Sequence, residues 1–278
     1  MSIDALQNKI RKKKNSSAVV LSPNRGMIPE GMEAGEYLCS LLAGLKDLIP
    51  AVRLDPAAFW ISGCADAFVP VLEKARELGY YVILDWTRME HPEEAKESAQ
   101  RILKEECWPC DAVVINGYAG TDSVKHWFKA AGKTRDVYVV VKTANKSGTE
   151  IQDLQTGGRF VYTAAADLVS RMGDGAMERC GYSRLAVMAG AYNGASLKTL
   201  REKYPKMFLL VDGLDESGCN ARNASFAFDR LGHGALVCGG MSIVGAWKEV
   251  ENCDDPVAAA VEAAERMKRN VTRYVTVL

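Results

Sequence analysis

This chain of 278 residues has no charge excess, no long apolar run and little proline. Its 35 basic and 35 acidic side chains cancel, so no overall field attracts nucleic acid or an anionic membrane. No apolar stretch approaches the roughly 18 residues of a transmembrane helix, and no apolar segment follows the charged N-terminus as in a signal peptide. With 9 prolines and 24 glycines, the chain is not collagen-like. The sequence therefore predicts neither a nucleic-acid nor a membrane partner.

Cysteine is present, but not in the pattern of a disulfide scaffold. The eight cysteines are scattered through a chain long enough to build its own core. Cys107 and Cys110 form a C-x-x-C pair, which is typical of a redox site or of half a zinc site. No second pair or nearby histidine completes four zinc ligands, so we interpret both thiols as structural and predict no metal site. This cysteine usage favours the cytoplasm, a reducing compartment.

Eight short apolar runs recur along the chain, each followed by a helical pattern. Most begin about 23 to 32 residues apart, which is close to the length of one β-loop-α unit. The runs are almost continuously apolar, as expected of strands buried on both faces. They cover residues 18–21, 51–54, 80–86, 112–116, 137–143, 184–189, 207–211 and 235–238.

The repeated units favour one fold class, an α/β chain forming a single (β/α)8 TIM barrel. No linker separates the eight units, so we expect one domain over residues 1–278; a doubly wound open sheet is the main alternative. Ile3, Leu6 and Ile10 recur at helical spacing before the first run and predict an extra N-terminal helix. The polar segment 145–162 is too long for a plain connector, and we expect it to be a lid or binding loop over the barrel mouth.

In such a barrel, the residues at the carboxyl ends of the strands carry the chemistry. Asp85 ends the third run, and Glu90 follows five residues later. Arg53 and Lys142 end the second and fifth runs, where they are placed to pair with Asp85 or to meet an anionic ligand. We therefore take Asp85, Glu90 and Lys142 as candidate catalytic residues.

Candidate substrate-binding residues occupy other strand ends. The Gly239-Gly240 turn leads into a helix, and exposed N–H groups together with the helix dipole favour an anion at such a turn. Asn116 and Gly213 also follow strands directly. The predicted binding set is Arg53, Asn116, Gly213, Gly239 and Gly240, with a small-molecule or nucleotide ligand at the barrel mouth.

Six segments carry a resemblance to a known family: residues 19–23 (VVLSP), 47–53 (DLIPAVR), 82–85 (VILD), 141–145 (VKTAN), 208–213 (FLLVDG) and 234–237 (GALV). On these segments, the chain resembles the orotidine 5′-phosphate decarboxylase family, specifically its longer bacterial (type 2) branch. The resemblance runs from Leu6 to about Trp247. It implies a homodimeric barrel that removes CO₂ from orotidine monophosphate in UMP synthesis, without a cofactor.

The catalytic signature of that family is altered in this chain. The family has Asp-x-Lys-x-x-Asp, in which the Lys protonates the developing carbanion and the second Asp reaches the partner subunit's site. Here the same frame reads Asp85-Trp86-Thr87-Arg88-Met89-Glu90. Thr87 stands at the Lys position and Glu90 at that of the second Asp.

The positions that contact ribose and phosphate in the family are altered as well. Ser22 replaces the ribose-binding Asp, and Met241 aligns with the phosphate-clamping Arg. The Pro-Gly-x-Gly-x-Gln phosphate loop reads Asp212-Gly213-Leu214-Asp215-Glu216-Ser217, so Ser217 replaces its Gln. Removing one preorganised donor costs about 10²–10³ in rate, and several donors are missing here.

Three hypotheses follow for the function. The first is a diverged family member without normal decarboxylase activity. It keeps the barrel and the homodimer and serves as a partner or regulator of another protein, for which an active homologue is one candidate. The second is a lyase or isomerase that uses Asp85, Glu90, Arg53 and Lys142 on another small molecule. The third is an active decarboxylase with displaced catalytic groups.

Overall fold

The computed structural model describes residues 1–24, 26–105 and 107–277. Its eight main strands are parallel and form a closed barrel. They are β1 (Ser17–Leu21), β2 (Ala51–Leu54), β3 (Tyr81–Trp86), β4 (Ala112–Asn116), β5 (Asp136–Lys142), β6 (Ser183–Gly190), β7 (Met207–Asp212) and β8 (Ala235–Gly239).

Helices surround the barrel and connect its strands. They are α1 (Ile3–Lys13), α2 (Ala34–Leu45), α3 (Pro56–Ile61), α4 (Phe68–Glu77), α5 (Pro92–Ala99), α6 (Thr121–Ala131), α7 (Thr149–Gln152), α8 (Val161–Met172), α9 (Gly194–Lys203), α10 (Ala221–Ser225), α11 (Met241–Val244) and α12 (Pro256–Thr272). Proline occupies the first position of α3, α5 and α12, where its missing N–H and fixed φ cost nothing.

The predicted barrel is confirmed. Strand β1 pairs with β2 through Ala18 and Ala51 and with β8 through Ser17 and Val237, so the sheet has no open edge and the doubly wound alternative is wrong. Each predicted strand differs from the observed one by no more than one residue at either end. The continuous apolar runs identified the strands because both faces of each strand are buried.

The strands divide their side chains between two layers. One set, including Val82, Val139 and Leu209, packs outward against the helices. The alternate set, including Tyr138 and Phe208, fills the barrel interior. Side chains alternate between the two layers along a strand. A polar side chain at a strand end therefore points into the barrel when it lies two residues after an interior side chain, and such residues meet at the mouth.

The predicted extra helix α1 is also confirmed, and it closes the floor of the barrel. Ile3, Leu6 and Ile10 are fully or almost fully buried and belong to the same cluster as the interior side chains Tyr81 and Phe208. The polar face of α1 ends in a basic last turn, where positive charge complements the helix dipole. The candidate site described below lies at the opposite end of the barrel.

The segment 145–162 has structure of its own. It contains a 3₁₀ turn, the short helix α7 and a two-stranded hairpin of Gln155–Thr156 with Arg159–Phe160. The side chain of Gln152 accepts a hydrogen bond from the N–H of Thr143 at 2.9 Å. This contact holds the segment against the end of β5.

Two further observations concern surfaces and thiols. Across the described ranges, none of the helices combines the length and the apolar character that a bilayer crossing requires. The eight cysteines are free thiols; of the C-x-x-C pair, Cys107 is exposed and Cys110 is buried.

Candidate functional site

A cavity of about 250 Å³ opens at the carboxyl ends of β1, β2, β3, β7 and β8. It brings together five residues that the sequence predicts for the site. Its lining includes Arg53, Asp85, Gly213, Gly239 and Gly240, together with Ser22 and Met241 from the altered family positions. This cavity is the candidate active site.

Arg53 bridges two carboxylates across the mouth. Its Nη1 donates a hydrogen bond to Asp212 Oδ1 at 2.7 Å, and its Nε lies 3.3 Å from Asp85 Oδ2. The Nε is buried and makes no hydrogen bond within the described part of the chain. The three side chains meet because each continues the inward-facing set of its strand, which includes Ala51 in β2 and Ile83 in β3.

The pKa values of Arg53 and Asp85 are shifted. Burial opposes the charge on Arg53, but the carboxylates of Asp212 and Asp85 outweigh it and raise the guanidinium pKa above its usual value. Burial also raises the pKa of Asp85, although Arg53 and a hydrogen bond from Thr87 act in the opposite direction. A buried carboxyl group with a raised pKa beside a fixed cation is typical of acid–base sites.

The predicted anion cradle is occupied by the protein itself. The N–H of Gly240, directly before α11, donates a short hydrogen bond to Oδ2 of Asp215. Gly240 has to be glycine, because a Cβ there would lie 2.6 Å from the carbonyl oxygen of Val20. A phosphate bound at this turn needs the same N–H, so the Asp215 carboxylate takes the place of the ligand.

The cavity is strongly acidic. Five carboxylates line it, whereas Arg53 is the one cationic side chain among the described lining residues. The acids are Asp55, Asp85, Asp212, Asp215 and Glu216. No group of three or more His, Cys, Asp or Glu side chains within residues 1–24, 26–105 and 107–277 is arranged to hold a metal ion.

Comparison with known proteins bears on the identity of this barrel. No protein-family model matches the chain. A curated orotidine 5′-phosphate decarboxylase from Rhodopirellula baltica is 28% identical over 250 residues, covering 84% of this chain and 83% of the relative. One from Petrotoga mobilis is 25% identical over 273 residues, covering 93% of each. These curated relatives support the resemblance of the chain to the orotidine 5′-phosphate decarboxylase family.

Solved structures share the fold of this chain. An OMP decarboxylase from Leishmania donovani has a TM-score of 0.73 at 22% identity, covering 98% of this chain and 99% of that one. An orotidine 5′-monophosphate decarboxylase from Plasmodium berghei has a TM-score of 0.75 at 14% identity, covering 98% of each. At these identities, the likeness concerns the fold.

Lys142, a candidate replacement for the family lysine, lies away from the cavity. Its ammonium group forms a short ion pair with Asp153 and lies 4.9 Å from the ring centroid of Tyr162 in α8. The pairing of β5 with β6 shifts register between Val140 and Lys142, so the alternation of the strand does not carry Lys142 to the mouth. The hypothesis that Lys142 approaches Asp85 does not fit this geometry.

Glu90, at the position of the second aspartate in the family signature, is also outside the cavity. Its side chain is 5% exposed and accepts hydrogen bonds from Trp86 Nε1 at 2.9 Å and Ser98 Oγ at 2.7 Å. Its carbonyl oxygen accepts a hydrogen bond from Ser123 Oγ. These contacts connect the loop after β3 to α5 and α6 within the same chain, so Glu90 has a structural role here.

Asn116 does not line the cavity either. Its Oδ1 accepts a hydrogen bond from the N–H of Tyr118 at 2.9 Å, which forms an Asx turn at the end of β4. Among the predicted binding residues, Asn116 thus shapes a loop in this structure. Its role in binding remains a prediction without a contact that supports it.

Sequence reasoning left Asp212 and Asp215 out of the candidate set, although both lie at the centre of the site. For Asp212 a signal existed, because it follows the inward-facing Phe208 and Leu210 at a spacing of two in β7. Asp215 carried no such signal. Its position depends on the turn at Gly213, whose φ of +82° bends the loop back toward β8.

Proposed function

We propose that this chain, which resembles the orotidine 5′-phosphate decarboxylase family, does not carry out ordinary decarboxylation of orotidine monophosphate. The observation that carries the proposal is the Asp215 carboxylate on the N–H of Gly240. A phosphate dianion brought to this turn would meet a resident anion, with Asp212 and Glu216 lining the same cavity. Like charges at this range repel one another, and burial strengthens the repulsion.

The proton donor is a second difficulty for the family reaction. Thr87 occupies the position of the family lysine, and its hydroxyl cannot act as an ammonium acid. Arg53 is nearby, but its two carboxylate neighbours raise an already high pKa, and a guanidinium is a poor proton donor. Recruiting Lys142 would require it to leave Asp153.

One observation favours the alternative of a lyase or isomerase that acts on another small molecule. Asp85 is a buried carboxyl group with a raised pKa, fixed 3.3 Å from Arg53. Such a group is suited to general acid–base work. An acidic cavity of this kind suits a substrate without a phosphate group. A thermal-shift screen of small molecules without phosphate should raise the melting temperature if this alternative is correct, and no shift with any of them would contradict it.

The wider setting of the protein is also proposed. A homodimer is supported by exposed apolar side chains after neighbouring strands: Trp60 and Ile61 in α3 are 77% and 80% exposed, and Met89 after β3 is 62% exposed. The free cysteines support a cytoplasmic location. In this role, the barrel acts as a partner or regulator, with an active homologue as one candidate partner.

The first experiment measures turnover. Purified protein incubated with orotidine monophosphate should release no CO₂ above background, while the Rhodopirellula baltica relative serves as the positive control. Ordinary enzyme turnover, about 1–10³ s⁻¹, would overturn the proposal. If Lys142→Ala then abolished that turnover, the displaced-group hypothesis would be correct.

A second experiment tests the occupied cradle directly. UMP should leave the Gly240 amide resonance of the wild type unchanged in NMR spectra. In Asp215→Gly/Met241→Arg, which restores the family residue types, UMP should shift that resonance. The control Asp174→Asn/Met241→Arg removes an exposed carboxylate elsewhere and should behave like the wild type. A shift in the wild type would show that Asp215 does not block the turn.

A further inference from the structure

A second concave surface lies outside the barrel mouth, on the other side of the loop after β7. It is a groove of about 470 Å³ between this loop, α10 and the end of α12. Its lining includes Asn220, Arg222, Asn270, Arg273 and Tyr274. In contrast to the central cavity, no carboxylate lines it among the described residues, so its charge is of the opposite sign.

The two arginines of this groove have no side-chain partner among the residues that the structure describes. Neither Arg222 nor Arg273 has an ion pair or a side-chain hydrogen bond with any residue that the structure describes. Both are exposed. Arg269, one helical turn before Arg273, does pair with Glu265 at 3.3 Å. Two unpaired guanidinium groups facing one concave surface are suited to the oxygens of a phosphate group.

The groove also offers a flat apolar face. Tyr274, directly after α12, is 48% exposed, and its ring is available for stacking against a planar ligand. Asn270 is exposed beside it and has no side-chain hydrogen bond in the described part of the chain. Cations, an amide and an aromatic face in one groove are the groups that recognise a nucleotide.

We propose that this groove binds an organic phosphate that carries a planar ring, that is, a mononucleotide. The phosphate lies on Arg222 and Arg273, and the base stacks on Tyr274. Leu214 lines both cavities, so the loop 213–220 separates an acidic pocket from a basic groove. The proposal does not depend on the catalytic state of the central cavity.

The test measures binding of AMP and of inorganic phosphate by calorimetry. AMP should bind the wild type, and Arg222→Ala or Arg273→Ala should each weaken it by about tenfold or more. Tyr274→Ala should weaken AMP binding by about fivefold or more and leave phosphate binding unchanged. All these side chains are exposed, and melting temperatures confirm that the variants fold.

Two control variants test whether AMP binds in this groove. Arg76→Ala removes an exposed arginine from α4, which leads into β3 on the far side of the barrel, and should leave AMP binding unchanged. Arg230→Ala, which removes an exposed arginine after α10 that does not line the groove, should also leave AMP binding unchanged. Absence of AMP binding, or equal binding by the Arg222→Ala/Arg273→Ala variant, would refute the proposal. Far tighter binding of single-stranded DNA than of AMP would identify a nucleic-acid surface and also overturn it.

Discussion

At the scale of single residues, the buried carboxylates of the barrel lie in two different environments. At the mouth, Asp85 and Asp212 share the charge of Arg53. At the start of β5, Asp136 is fully buried; it accepts a short hydrogen bond from the Tyr81 hydroxyl, and its Oδ1 has no partner among the described residues. Burial raises the pKa of Asp136 well above its usual value, although Tyr81 and then Arg184 act against the shift.

This shift makes stability fall as pH rises. Between the unfolded pKa of about 3.8 and the higher folded pKa, the native state binds more protons than the unfolded state, so the free energy of unfolding decreases with pH. Asp136→Asn removes this contribution. Its stability relative to the wild type should increase with pH by up to about 1.4 kcal/mol per pH unit, as measured by urea denaturation from about pH 4 to pH 7.

A matched variant separates this effect from general charge loss. Asp174→Asn changes an exposed carboxylate and should keep the pH slope of the wild type. If the difference between Asp136→Asn and the wild type were the same at every pH, Asp136 would be ionised in the folded protein.

Some residues of the candidate site could be predicted from the sequence and others could not. Arg53 and Asp85 end strands in a sequence whose strand bounds were predicted almost to the residue, so their meeting followed from the barrel. Asp215 lies in a loop, and Lys142 follows a register shift. Neither a loop path nor a register shift leaves a hydrophobic pattern from which it can be predicted.

At the scale of elements, the segment after β5 is anchored by the Lys142–Asp153 ion pair and by the hydrogen bond between Thr143 and Gln152. Lys142 is 2% exposed and its partner Asp153 is 26% exposed. The expectation of a lid came from length and polarity, which could not show that the segment folds back on the strand end. Its anchors are polar contacts between residues about ten positions apart.

Removing the anion should destabilise the protein. Asp153→Ala leaves a buried ammonium without its partner, and we expect a loss of about 3 kcal/mol in the free energy of unfolding. Glu150→Ala, which removes an exposed carboxylate of α7, should change it by less than about 0.5 kcal/mol. Denaturant titration measures both variants. Equal stability of the two would mean that the pair contributes nothing.

At the scale of the whole molecule, α1 completes the barrel. Its apolar stripe belongs to the interior cluster and not to the outer layer between strands and helices. A barrel interior needs a floor because its lower side chains would otherwise face water. The helical spacing of Ile3, Leu6 and Ile10 predicted the helix, but only the closed barrel shows what the helix covers.

Truncation inside this floor should be costly. Leu6 is fully buried, so Leu6→Ala should lower the free energy of unfolding by about 2–5 kcal/mol. Ile151→Ala truncates a side chain of α7 that is 65% exposed and should change it by less than about 0.5 kcal/mol. Thermal and urea unfolding report both. A small effect at Leu6 would show that the helix packs loosely on the barrel.

The carboxylate of Asp215 at the turn before α11 also determines the order in which substitutions could create phosphate binding at this turn. An arginine introduced at Met241 while the acid remains would face a resident anion in the same cavity. It would form an internal ion pair and leave the N–H of Gly240 occupied, so this step alone would gain no ligand. The acid has to be lost first, and the effects of the two substitutions on affinity would be far from additive.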